Sequence, residues 1–212
     1  MPVNWYAALV VIVLVGLGSV AFAKYHYNQT AAAVDPAIGT TWHGAIAFDV
    51  CGTVQPALAA SPTSATTGLT TTGSGVLLIA PKTSGQAGAN ATVGKFASGY
   101  TGLSLTNTSL KLPVAKAAEY VNGEKCPAGT PDAGKAGEML ARSWVITTQT
   151  KHNQLVQSGG ATTTKPANLK FLNRQLITVG FVPAGTKLPK PPGTAISALL
   201  QVLSGSQPVA TT

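Results

Sequence analysis

Cys51 and Cys126 are the only cysteines of this chain, and its remaining titratable chemistry rests on three histidines, six carboxylates and a scatter of basic residues. Each set has a reaction it would serve. Thiolates and imidazoles at short spacing hold zinc, and paired carboxylates hydrolyse glycosides. A hydroxyl beside an imidazole and a carboxylate makes an acyl-transfer nucleophile. The spacings match none of these. His26, His43 and His152 stand singly, with no HxxH, HExxH or CxxCH, and no two acids pair at short spacing. Ser74, His152 and Asp49 complete a triad on paper, but Ser74 lies in "TGSGV", which is not a G-x-S-x-G elbow. The glycines beside it lack the Lys-Ser/Thr of a phosphate loop. The expectation is a chain with no catalytic residues, no cofactor and no metal. The two cysteines, far apart and even in number, suit a disulfide in an oxidising compartment, and closing so long a loop contributes ~4 kcal/mol in the chain-entropy model. Two buried free thiols are the alternative reading.

The charge pattern narrows the partners. Only 9% of the 212 residues are charged, against roughly 25% in ordinary soluble domains. The net charge is +8, yet the basic residues are spread singly from Lys24 to Lys190, without a basic run interleaved with aromatics. Nucleic acid is therefore not an expected partner. The charge suits solubility and attraction to anionic lipid headgroups or to an acidic protein face.

The elements that must position these residues begin with "WYAALVVIVLVGLGSVAFA", Trp5 to Ala23, which carries no charge and would span ~28 Å as a helix, enough for a bilayer core. Trp5 and Tyr6 precede it and Tyr25 and Tyr27 follow, in the pattern of interfacial aromatics. Ala21-Phe22-Ala23 has the shape of a signal-peptide cleavage site, but no Lys or Arg precedes the stretch, so an uncleaved anchor is expected. Lys24 on its carboxyl side favours a cytoplasmic body by the positive-inside rule, whereas the cysteine pair favours the extracytoplasmic side, which is the placement adopted. Residues 1–27 are then anchor and flanks, 28–41 a small-residue tether, 42–203 the body and 204–212 a tail.

Within the body, "WHGAIAFDVCG" and "RQLITVGFVP" read as strands and Val76–Ile79 as a short strand stopped by Pro81. Most of "PALAASPTSATTGLTTTGSG" reads as a turn-rich loop, and "LSLTNTSLKLP" as a half-buried strand or hairpin. Asn90 is a candidate cap for a short helix ending at Gly99 and Gly102. Asn122-Gly123 marks a turn before Cys126. Trp144–Thr148 favours a strand, and "SGGATTTKPANL" reads as a polar loop. Ile196, Leu199, Leu200 and Leu203 fall at helical spacing after a proline-rich stretch. The fold class expected is α+β: a single transmembrane helix plus a small, mostly β domain with short helices.

Four motifs, "WHGAIAFDVCG", "GANATVGKF", "YVNGEKC" and "ITVGFVPAGTKLPKPP", taken in that order, resemble a family of actinobacterial single-pass membrane proteins with an extracytoplasmic domain. The resemblance runs from about Trp42 to Pro192. In relatives the central segment reads close to G-I-H-T-H-G-D-G-V-I-H-I-H-P. Against it, Gly68, Gly73, Gly75 and Pro81 of "GLTTTGSGVLLIAP" agree. Thr70, Thr72, Leu78 and Ala80 stand at the histidine positions, and Ser74 at the acid. Four imidazoles on one face of two strands would suit a transition metal. These four residues would not, so no metal role carries over.

The resemblance further implies an accessory subunit of the respiratory supercomplex that joins cytochrome bcc to cytochrome oxidase. Gly16, Gly18 and Ser19 give the anchor a small-residue patch for a neighbouring helix. Trp42, Pro189, Pro191 and Pro192 are the candidate partner contacts, since the extended "PAGTKLPKPPGT" has little evident reason to pack on its own domain. A free-standing envelope protein that binds a ligand or cell-wall component is the alternative.

Overall fold

The computed structural model describes residues 13–19, 35–62, 67–114, 118–149 and 154–205. The chain divides into two compact units, 1–34 and 35–212. In the first, residues 13–19 form a helix, α1, whose Val13, Leu14, Val15 and Leu17 are exposed. No helix among the described residues is long and apolar enough to cross a membrane. The rest of the expected anchor, with its flanking Trp5, Tyr6, Lys24, Tyr25 and Tyr27, lies outside the described residues, as do 28–34 of the tether and 206–212 of the tail.

The second unit is mixed and mostly sheet. Strands β1 (Trp42–Val50), β2 (Thr53–Val54), β3 (Leu69–Gly73) and β4 (Val76–Ile79) come first. Helix α2 (Val93–Gly99) and a small hairpin sheet, β5 (Ser104–Leu105), β6 (Ser109–Lys111) and β7 (Glu119–Val121), follow. Then come β8 (Gly137–Gln149), β9 (Gln154–Thr163), β10 (Gln175–Pro183) and helix α3 (Gly193–Leu203). The large sheet has the order β3-β4-β1-β10-β8-β9, with β2 pairing β1 beyond the end of β4.

At its centre β1 and β10 run parallel, Gly44 opposite Gln175 through Val50 opposite Phe181. Both read as continuous buried runs, as strands covered on two faces must. On one face Ile46, Phe48, Val50, Ile177, Val179 and Phe181 pack with Phe96 of α2, Phe171 and the hairpin leucines Leu103, Leu105, Leu110 and Leu112. On the other, Ala45, Val76, Trp144 and Leu176 receive Ala195 and Leu199 of α3. Period-2 alternation and the helical spacing of the tail thus resolve into one sheet between two unequal layers.

Four expectations change. Helix α2 is capped by Thr92, whose Oγ1 accepts from the Lys95 amide at 3.2 Å; Asn90 instead ends a 3₁₀ turn and its Nδ2 donates to the Ser84 carbonyl. The strand of Trp144–Thr148 begins seven residues earlier, at Gly137, because β10 pairs with it from Gly137 through Val145. Much of the expected polar loop is strand: Ser158–Thr163 belongs to β9. Its glycines form a bulge there, with Trp144 opposite Gly159 and Ser143 opposite Ala161, and φ near +103° and +102° at Gly159 and Gly160. A polar, glycine-containing segment becomes a strand when a long partner offers a ladder.

The fourth change is the proline-rich stretch, which does pack on its own domain. Leu188 is buried with Leu140 and Val182, and it sits over Gly180, where a Cβ would collide with it. Pro191 is buried as well. Arg142 secures this strap by donating from Nη1 to the Leu188 carbonyl at 3.3 Å and from Nε to the Gly160 carbonyl at 3.1 Å, its guanidinium lying 5.0 Å from the Trp144 ring centroid.

Candidate functional site

The hairpin β3–β4 turns through Ser74 and Gly75, both at positive φ (51° and 79°), which is the two-residue turn that matches strand twist. A bulge between Thr71 and Gly73 precedes it, and Gly73 also has positive φ. Thr71, unremarked in the sequence, holds the bulge: its Oγ1 donates to the Val76 carbonyl at 2.7 Å and accepts from the Gly73 amide at 3.2 Å. Its backbone is closed on the outer side by Ser61, whose amide donates to the Thr71 carbonyl and whose hydroxyl accepts from the Thr71 amide.

Register places Thr70 opposite Leu78 and Leu78 opposite His43, so these three share a face. Thr70, Thr72, Leu78 and Ala80 together line a hollow of about 290 Å³ with Ser61 and Thr67. The four positions therefore converge, but they bring two hydroxyls and two apolar side chains. Among the described residues no group of three or more His, Cys, Asp or Glu comes together.

Of the remaining titratable residues, His43, Asp49 and Asp132 have contacts within the fold. His43 donates its amide to Asn173 Oδ1 and its carbonyl accepts from the Arg174 amide at 2.8 Å; burial pushes its imidazole below the ordinary value. Asp49 is only 3% exposed, and its Oδ1 accepts from the Gly52 amide at 2.9 Å. Burial raises its carboxyl above the ordinary range, the Gly52 hydrogen bond opposes this, and the nearby charge of Asp132 adds to it. Asp132 itself is paired with Lys135 at 2.8 Å. Gly75, next to Ser74 in the turn, accepts from the Ile46 amide, and Asp49 stands three residues, or about 10 Å, further along β1. His152 and His26 lie outside the described residues.

Cys51 and Cys126 form a disulfide, with Cα atoms 5.7 Å apart across 75 residues of sequence. Both are buried. Cys51 occupies a second tight turn, with Gly52, between β1 and β2 (φ 53° and 82°), and its carbonyl accepts from the Asp132 amide. The bond thus ties the end of the central strand to the loop before β8.

Of the partner-contact candidates, Trp42 is half-buried against the main core, Pro191 is buried, and Pro189 and Pro192 are exposed. On α1, among the described residues and apart from the helix's own backbone and chain neighbours, no atom lies within 4 Å of where a Cβ would stand at Gly16 or Gly18, and Ser19 Oγ donates to the Val15 carbonyl at 2.7 Å. Arg142, Thr71 and Asp49 carry no short-range motif; a buried polar side chain shows its role only once its partners are in place.

Set beside protein-family models, curated proteins and solved structures, the chain matches none of them.

Proposed function

We propose that this chain is a non-catalytic accessory subunit of the cytoplasmic membrane. Its N-terminal apolar segment is the anchor and its domain lies on the extracytoplasmic side. There it docks on and braces a respiratory electron-transport supercomplex of cytochrome bcc and cytochrome oxidase. The observation that carries the reading is the Cys51–Cys126 disulfide, since such bonds persist in oxidising compartments. Further support comes from how the buried polar residues are used. Asp49, Thr71 and Gln175 spend hydrogen bonds on backbone amides or carbonyls of their own fold. The ordered motifs from Trp42 to Pro192 point to the same family of anchored proteins, and the exposed Pro189 and Pro192 with half-buried Trp42 remain the contact candidates.

The test is mild detergent extraction of a tagged full chain, followed by native purification and mass spectrometry. Cytochrome bcc and oxidase subunits should co-purify in fixed ratio, and substitution of Trp42, Pro189 and Pro192 together should lower that ratio. Recovery of the chain alone at full yield would overturn the proposal and favour a free-standing envelope protein that binds a ligand or cell-wall component.

A further inference from the structure

A second hollow of the domain lies away from the hairpin face. It is a half-open cavity of about 510 Å³, within the range of small-molecule sites. Its lining includes Ile46 and Ala47 of β1 and Gly75 of the hairpin turn. One wall is Pro56 and Ala57, the other Pro192 and Ala195 at the start of α3. A proline on each side, Pro56 and Pro192, restricts the local backbone. Gly75 is held open by geometry: a Cβ there would stand 2.9 Å from that of Ala195 and 3.1 Å from the Ile46 carbonyl.

The lining chooses its occupant. It contains no charged side chain, so an ionic group seated inside would be desolvated without a counter-charge. Val54 adds apolar surface at the mouth and is 38% exposed, which burial against a hydrocarbon would relieve. Ser74 and Thr194 bring hydroxyls with no protein hydrogen-bond partner among the described residues, and Gln55 brings an amide of which only Nε2 is engaged, at the Thr53 carbonyl. An apolar trough with neutral donors and acceptors at its edge fits a hydrocarbon chain carrying a hydroxylated, uncharged head.

We propose that this cavity binds the acyl chain of a neutral single-chain lipid of the monoacylglycerol class, with its hydroxyl head at Ser74, Thr194 and Gln55. The site shares Pro192 with the docking contacts, but the lipid needs no protein partner to bind.

The test uses the full chain in amphipol and a 1-lauroylglycerol carrying a diazirine on its acyl chain. Photolysis, digestion and mass spectrometry should place saturable label on residues 54–57 and 192–195, displaced by unlabelled 1-lauroylglycerol. Ala57→Trp, at an exposed position, fills the mouth and should cut that label about tenfold with an unchanged melting temperature. If Ala57→Trp fails to fold, Thr194→Trp from the opposite wall replaces it. Label spread over the surface, confined to residues 13–19, or unchanged in the folded variant overturns the site. Displacement by dodecanoate or dodecylamine more effective than by 1-lauroylglycerol overturns the neutral class.

Discussion

Asp49 is the residue whose chemistry is most at odds with its position. A carboxylate at the buried end of a central strand loses hydration, and one amide from Gly52 does not restore it. Because its folded pKa is raised, the fold binds that proton more tightly than the unfolded chain does. The associated stability is complete below the ordinary carboxylate range and is lost as pH rises through the raised value. Asp49→Asn keeps an acceptor for the Gly52 amide and removes the charge. Its melting temperature should exceed the native one at neutral and alkaline pH, with the gap closing in acid; thermal unfolding over a pH series checks this. His43 acts in the opposite sense. Its lowered pKa gives stability that is present above the ordinary imidazole value and is lost as pH falls through the folded one.

Two elements depend on backbone features more than on burial. The β3–β4 turn places Ser74 at φ 51°, a conformation that Asn tolerates better than Ser. Ser74→Asn should therefore stabilise the domain by about 0.5–1 kcal/mol, whereas Gly75→Ala, at φ 79° and against Ala195, should cost at least ~1–2 kcal/mol. Chemical denaturation of both variants reads the difference. The strap from Pro183 to Pro192 depends on Arg142. Arg142→Met keeps the aliphatic stem but removes donors to the Leu188 and Gly160 carbonyls, a loss of about 1–3 kcal/mol. Hydrogen exchange should rise at residues 186–190 while β1 and β10 stay protected. Legibility at this scale followed the range of the interaction. β1, β4, β10 and α3 carry their period in their own residues, and Asn122-Gly123 its turn. The strand through Gly159–Gly160 and the burial of Leu188 and Pro191 are imposed by β8, β10 and Arg142, which are distant or silent in a local window.

Across the whole molecule the disulfide joins the two layers of information. It links the end of β1 to the loop before β8, so its loop spans the β3–β4 hairpin, α2 and the small sheet. Replacing both cysteines, as in the double variant Cys51→Ser with Cys126→Ser, should lower unfolding free energy by ~4 kcal/mol, measured from denaturant midpoints. Alkylation of the native chain without reductant should leave its mass unchanged, since both thiols are consumed. The cavity beside α3 belongs to this scale as well. Its lining, which includes Ala47, Ala57, Gly75 and Ala195, is gathered from four separate segments.

The sequence by itself determined the repeating elements, the even and widely spaced cysteine pair, the charge-free N-terminal stretch and the scarcity of short catalytic motifs, because each is a property of residues near one another in the chain. Strand period also pairs Thr70 with Thr72 and Leu78 with Ala80, but only the β3–β4 register brings the two pairs to one face. Only the tertiary structure decided that β1 and β10 lie parallel at the sheet centre, that Asp49 is buried, that the proline-rich strap folds back onto the sheet, and that a neutral hollow lies against α3. Those outcomes depend on which surfaces meet, and pairing between distant segments is set by the summed burial and hydrogen bonding of the whole fold rather than by any local pattern.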